Sequence, residues 1–255
     1  MVAITVNSGT PTLTTLDKQF GTSSLKLDVG ESLKFPHNDN FIFPGQFTFE
    51  CWIKYDLFSE ALQKFRALFG TSSTSNLKNP PEDKYLWWTT NREFGDENYS
   101  SQFFWRQGGV AHPGNEEDFG IWPVGASHPN NTWGHIYCGR DASNILWWGH
   151  NGFQQTKAGA DPSTIGGSGS FDCFIGAASD NILDVRRFDI LLDELRISNT
   201  FRYGGGATYT VPTAAFPANE ANTVLLCHFN GANGSSVFTD DTLSEEGFPK
   251  VIMIG

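Results

Sequence analysis

Phe188-Asp-Ile-Leu-Leu-Asp-Glu-Leu-Arg-Ile-Ser198 is the stretch whose reading decides the fold. From Leu191 onward it alternates, with Leu191, Asp193, Leu195 and Ile197 on one face and Leu192, Glu194, Arg196 and Ser198 on the other. A sustained period of two is the pattern of a half-buried strand. The charged pair Glu194 and Arg196 is expected to face out, while Asp193 shares the apolar face with Leu195 and Ile197. A carboxylate in that position is costly unless it accepts hydrogen bonds or binds a cation. Asp193 therefore reads either as an acceptor of backbone N–H bonds at a strand entry or as a metal ligand.

Other strands surround this one. Phe47 to Tyr55 alternates even more clearly, with Phe47, Phe49, Cys51, Ile53 and Tyr55 on one face and Thr48, Glu50, Trp52 and Lys54 on the other. Shorter strands are expected at Ile4 to Val6, Ser24 to Leu27, Glu31 to Pro36, Arg66 to Phe69, Phe171 to Gly176 and Val224 to Phe229. Trp133 to Arg140 and Ile145 to His150 form a hairpin around Asp141-Ala-Ser-Asn144, followed by a turn at Asn151-Gly152. Thr-rich turns precede Ser24, a loop spans Gly159 to Gly169, and Pro212 and Pro217 bracket an extended connector. No helical period runs beyond about three turns and no repeat appears, so the chain reads as all-β, with an antiparallel β-sandwich as its architecture.

Bulk composition agrees. The 255 residues carry 39% hydrophobic and 18% charged side chains, enough apolar material for a core and no signature of disorder. Net charge is −11, and an acidic surface repels phosphate backbones, which argues against a nucleic-acid partner. No apolar run approaches the roughly 18 residues of a membrane helix, and the first residues lack the basic and apolar regions of a signal peptide. Cys51, Cys138, Cys173 and Cys227 are widely spaced, each inside an expected strand, with no zinc-type spacing. They read as reduced core thiols, with a disulfide as the alternative.

Several strings together resemble the laminin-G-like, concanavalin-A-like jelly-roll modules common in virion proteins of tailed bacteriophages. They are Phe20-Gly-Thr-Ser-Ser-Leu-Lys-Leu-Asp28, Gly45-Gln-Phe-Thr-Phe-Glu-Cys-Trp-Ile-Lys54 and Trp133-Gly-His-Ile-Tyr-Cys-Gly-Arg-Asp141. Leu192-Asp-Glu-Leu-Arg-Ile-Ser198, Phe201-Arg-Tyr203, Pro212-Thr-Ala-Ala-Phe-Pro217 and Asn222-Thr-Val-Leu-Leu-Cys-His-Phe-Asn-Gly231 complete the series, in the expected order. The resemblance implies two stacked antiparallel sheets, some family members bearing a calcium ion or a glycan at the rim. The chain reads as one such module over residues 1–247, with an aromatic-rich insertion at about 76–131 that is longer than the family usually carries and an apolar tail at 248–255.

Ten of the 36 aromatic residues fall between Tyr85 and Trp122, interleaved with acids. Trp87, Trp88, Tyr99, Trp105, Arg106 and Trp122 are the ligand or interface candidates there, as stacking surfaces for sugars, as extra sandwich packing or as a subunit contact. Asp180, Asn181 and Asp184 offer loop oxygens for calcium, with Asp193 nearby in sequence, but their spacing lacks a full ligand set, so no cofactor is expected. Jelly-roll glycoside hydrolases carry Glu-x-Asp-x-x-Glu on one strand face, a string absent here. Glu116-Glu-Asp118 would be split between faces, and the six histidines have no partnered nucleophile motif. A non-enzymatic role follows. The expectation is a virion structural protein made in the host cytoplasm: a capsid decoration or cement subunit binding the major capsid protein, oligomeric in the particle. Val251, Ile252, Met253 and Ile254 would dock as an added strand. The alternative is a glycan-binding tail or fibre adhesin that recognises host surface polysaccharide.

Overall fold

The computed structural model describes residues 2–36, 39–55, 64–71, 85–92, 99–107, 110–111, 131–160, 164, 172–177 and 189–242. Among them the strands are β1 (Thr5–Ser8), β2 (Thr12–Thr14), β3 (Ser24–Leu27), β4 (Ser32–Phe35), β5 (Phe47–Tyr55), β6 (Lys64–Thr71), β7 (Tyr85–Arg92) and β8 (Tyr99–Gln107). They continue with β9 (Val110–Ala111), β10 (Trp133–Arg140), β11 (Ile145–His150), β12 (Phe153–Ala160), β13 (Cys173–Ile175), β14 (Ile190–Ser198) and β15 (Thr223–Cys227). One 3-10 turn covers Asp39–Phe41.

The strands pair in antiparallel fashion into two sheets. One sheet runs β1-β4-β13-β6-β7-β8-β9; the other runs β12-β11-β10-β5-β14-β3-β2, with β15 pairing β14 beyond the end of β3. Leu33, Phe35, Phe69 and Ile175 of the first sheet close on Phe49, Ile53, Leu192 and Ile197 of the second to form the core. Phe49 and Phe69 meet across it at 5.2 Å between ring centroids. The chain is thus an all-β antiparallel sandwich. All four cysteines are free and buried, and burial pushes each thiol well above its ordinary range.

The strand that decides the fold departs from its expected alternation. Pairing of β14 with β5 slips between Asp193 and Arg196, and Glu194 sits at φ 53°, a left-handed conformation. This is a β-bulge, and one extra residue reverses the phase of everything beyond it. Ile190 and Leu192 face the core before the bulge, and Leu195 and Ile197 face it after. Asp193 does not share the face of Leu195 as the alternation implied. It lies opposite Trp52, and Arg196 lies opposite Glu50, on the outer face of the sheet.

That outer face is covered rather than wet. Residues 199–222, between β14 and β15, form a strap whose ends are tied by the Asn199 N–H donating to the Asn222 carbonyl at 2.9 Å. The strap crosses the sheet to its far edge, where Thr208 bridges Phe153 and the Tyr209 N–H donates to the Gly152 carbonyl at 2.8 Å. It then returns, so that Phe216 N–H donates to the Glu194 carboxylate at 2.8 Å. On the other side of the bulge, Asp193 Oδ2 accepts the Gln19 and Phe20 amides, each at 2.9 Å. The bulge therefore aims two consecutive carboxylates at two separate coverings of one face.

Three strands are absent from the sequence expectations: β2 lies where only turns are expected, β9 lies within the aromatic-rich insertion, and β12 begins just after the turn at Asn151-Gly152 and runs into the expected loop at Gly159. All three are edge strands, short or polar, whose pairing partners rather than their own pattern make them strands.

Candidate functional site

Between sheet and strap lies a buried polar network centred on Glu50, fully buried on β5. An unpaired carboxylate there would be prohibitive, so its partners come from every neighbouring element. Arg196 on β14 donates Nε and Nη2 to Glu50 Oε1, both at 2.8 Å. Tyr203 of the strap donates its hydroxyl to Oε2, and His135 Nε2 on β10 lies 3.4 Å from the same oxygen. Burial pushes the Glu50 carboxyl up, but His135, Arg196 and Tyr203 outweigh it and hold it below the usual glutamate range. Burial pushes the His135 imidazole down, so the ring stays neutral. On its other edge, His135 Nδ1 lies 2.9 Å from the Tyr209 hydroxyl, which donates to the His135 carbonyl at 3.2 Å.

Aromatic packing sets the strap's height above the sheet. Tyr137 stacks on Tyr203 with centroids 4.2 Å apart, and Tyr209 meets both edge-on at 5.0 Å and 4.8 Å. Gly149 on β11 permits this: a Cβ there would fall 2.1 Å from the Tyr137 ring. Gln154, the hydroxyl partner of Tyr137, donates to the Gly204 carbonyl at 2.6 Å and so fixes the strap's turn.

The two limbs of the strap enclose an open cleft of about 500 Å³. Phe201 and Tyr203 line one side, Pro212 to Pro217 the other, and Arg196, Arg202 and Glu220 supply its charge. Arg196 is stacked under Phe216, its guanidinium carbon 3.8 Å from the ring centroid. Arg202 is fixed by Ser198 Oγ at 2.7 Å and Thr223 Oγ1 at 2.9 Å. Glu220 bridges the pair, with Oε1 on Arg202 and Oε2 on Arg196. Its side chain is 36% exposed, against 6% for Arg196 and 9% for Arg202. Ring and proline side chains beside a few fixed polar groups give this open cleft both apolar contact and hydrogen-bonding partners.

The sequence candidates fall elsewhere. Trp87 and Trp88 are consecutive on β7; Trp105 and Arg106 on β8 pair with Leu86 and Tyr85, and Tyr99 pairs with Arg92. These strands continue the first sheet, whereas the strap covers the outer face of the second. Trp122, Asp180, Asp184 and Val251 to Ile254 lie outside the described residues, as does the tail 248–255. Asp193 holds backbone amides through Oδ2, and among the described residues no group of His, Cys, Asp and Glu side chains suits a metal ion. The cleft residues went unread as a site because their signal is diffuse: polar residues at alternate strand positions, Glu50, His135 and Arg196, facing an aromatic connector bounded by prolines. Phe201-Arg-Tyr203 and Pro212 to Pro217 were visible as strings, but only the fold brings them over Glu50.

No protein-family model matches the chain, and no characterised protein matches its sequence. Solved structures do. Full-length tailspike protein 2 of an Escherichia coli O157:H7 bacteriophage superposes with a TM-score of 0.52 at 11% identity, covering 79% of this chain and 26% of the tailspike. The enzymatically active domain of a bacteriophage tailspike protein 2 gives 0.52 and 11%, covering 79% and 29%. Domain 4 of an extracellular arabinanase from Geobacillus stearothermophilus, in complex with arabinotriose, gives 0.48 and 16%, covering 82% and 84%. The chain thus spans under a third of the tailspike structures it resembles, and what it shares with them is the β-sandwich fold.

Proposed function

We propose that this chain is a non-catalytic, glycan-binding module of a bacteriophage tail or fibre, of the laminin-G-like, concanavalin-A-like kind, and that its cleft is the binding site. The observation that carries the reading is the cleft between the strap limbs. Its aromatic walls offer planes for the C–H faces of a pyranose, and its guanidinium and carboxylate groups offer partners for hydroxyls. The fold shared with tailspike proteins supports a place in the virion, and the acidic charge supports a target other than nucleic acid.

Hydrolysis needs two carboxylates flanking the scissile bond. Glu220 is the single acid among the residues lining the cleft, and both its oxygens are taken by Arg196 and Arg202. This supports binding rather than turnover. Attachment to a capsid shell as a cement subunit is the competing proposal. It rests on Val251 to Ile254, which lie outside the described residues, so the cleft lends it nothing.

The test is retention of the purified chain on host surface polysaccharide and, separately, on decoration-stripped phage heads. Retention on polysaccharide, weakened by Phe201→Ala at unchanged melting temperature, is expected. Stoichiometric binding to heads with none to polysaccharide would replace this reading with the cement one. Loss of polysaccharide binding on Trp87→Ala but not on Phe201→Ala would move the site to β7 and β8.

A further inference from the structure

The arrangement of Arg196, Arg202 and Glu220 goes beyond binding a neutral sugar. Each oxygen of the Glu220 carboxylate is held by a different guanidinium, so the place it fills has the chemistry of one carboxylate between two arginines. The three partners are not equally fixed. Arg196 is anchored from beneath by Glu50 and from above by Phe216, and Arg202 by Ser198, Thr223 and the Ala221 carbonyl at 3.1 Å. Glu220 has its carboxylate at the cleft mouth, more than a third exposed, on a turn closed by long backbone bonds of 3.4 Å to Pro217 and 3.3 Å to Thr223. The guanidiniums are thus the more anchored part of the site and the acid its more exposed, less anchored part.

We infer that Glu220 is an internal stand-in for a ligand carboxylate, and that the cleft accepts a saccharide bearing a single carboxylate, such as a uronic acid residue, which displaces Glu220 from Arg196 and Arg202. The inference rests on the glycan-binding reading above and names its substrate class. When Glu220 turns out to solvent, the two arginines face the cleft with Glu50 as their remaining carboxylate partner, leaving one uncompensated positive charge over the Phe201 and Tyr203 rings. Planar, bidentate recognition of a carboxylate is what paired guanidiniums do best. The net charge of −11 repels anionic ligands in general, so it is the local positive charge of Arg196 and Arg202 that has to draw the carboxylate in. No bond is made or broken; one carboxylate replaces another.

The experiment is calorimetric titration of the full chain with a glucuronyl-glucose disaccharide, with its methyl ester and with a short, C-terminally amidated peptide ending in glutamate, which carries one carboxylate at that end. The acid is expected to bind and the ester to bind at least about tenfold more weakly, because esterification removes the charge-assisted bonds while keeping the sugar. Glu220→Gln removes the internal competitor and is expected to tighten the acid about tenfold while leaving the ester unchanged, with Arg202→Lys weakening the acid. The peptide arm separates sources: equal binding of peptide and sugar acid assigns the site to carboxylates in general, and preference for the sugar assigns it to acidic saccharide. Equal binding of acid and ester, or no gain in Glu220→Gln, overturns the inference. If neutral glycans still bind at the cleft in that case, the glycan-binding reading stands without it; if the chain binds no saccharide, both fall. Melting curves of each variant confirm that a lost signal is not lost folding.

Discussion

At the scale of single residues, charge burial governs this molecule. Glu50 is buried with no exposed surface and depends on Arg196, Tyr203 and His135 for its partners. Removing the acid strands the Arg196 guanidinium against the sheet, so Glu50→Ala is expected to lose about 3–5 kcal/mol of stability in denaturant titration. A loss under about 1 kcal/mol would mean that water reaches Arg196. Asp193 behaves in the opposite sense. Burial pushes its carboxyl up to about 7, against the lowering by the Phe20 and Gln19 amides, from an ordinary value of 3.8. Between those two pH values the folded chain holds a proton that the unfolded chain releases, so this residue's contribution falls as pH rises and levels off above about 7. Asp193→Asn keeps an oxygen for the two amides and removes the titration. Stability of the variant relative to the native chain should therefore rise from pH 4.5 to 7.5, by a few kcal/mol at most. Parallel stability profiles would contradict the raised value. Trp52 Nε1 and Asp193 Oδ1, on neighbouring strands, are both buried without a hydrogen-bond partner, which marks the spot as one where polarity is poorly satisfied.

At the scale of elements, what was legible in the sequence was the material of the core. The alternation of Phe47, Phe49, Cys51, Ile53 and Tyr55 matches β5 and its inward face, and the Trp133 to His150 hairpin has its expected bounds. Residues buried on one face announce themselves by period two, because the pleat has that period. The bulge at Asp193-Glu194 does not, since Leu-Asp-Glu-Leu reads equally well as unbroken alternation; only a register against β5 exposes the slip. The strap was illegible for a related reason. Its residues have no period, and their burial comes from partners far away in sequence, as in the pairing of Glu50 with Tyr203. A site made by a connector lying on a sheet is written in neither alone. The strap's fit makes its own prediction. Gly149→Ala would force Tyr137 and Tyr209 apart, so the variant is expected to lose about 1–3 kcal/mol and to become sensitive to proteolysis between Gly204 and Ala207, where the strap turns at the sheet edge. Unchanged protease resistance would show that the tyrosine stack does not hold the strap down.

At the scale of the whole molecule, the second sheet puts its two faces to different uses. One face of the second sheet builds the core with the first sheet, and the other carries the strap, its buried ion network and the cleft above it. β7 and β8, which carry Trp87, Trp88 and Trp105, extend the opposite sheet and hold the rival sequence candidates for ligand binding. The measurement that separates the two is backbone amide mapping of the full chain by heteronuclear NMR during titration with oligosaccharides released from the host surface polysaccharide. A cleft site predicts shifts that saturate together in residues 200–203 and 212–220, with β7 and β8 unmoved. Shifts concentrated between Tyr85 and Gln107, with the strap silent, would contradict the account at its centre.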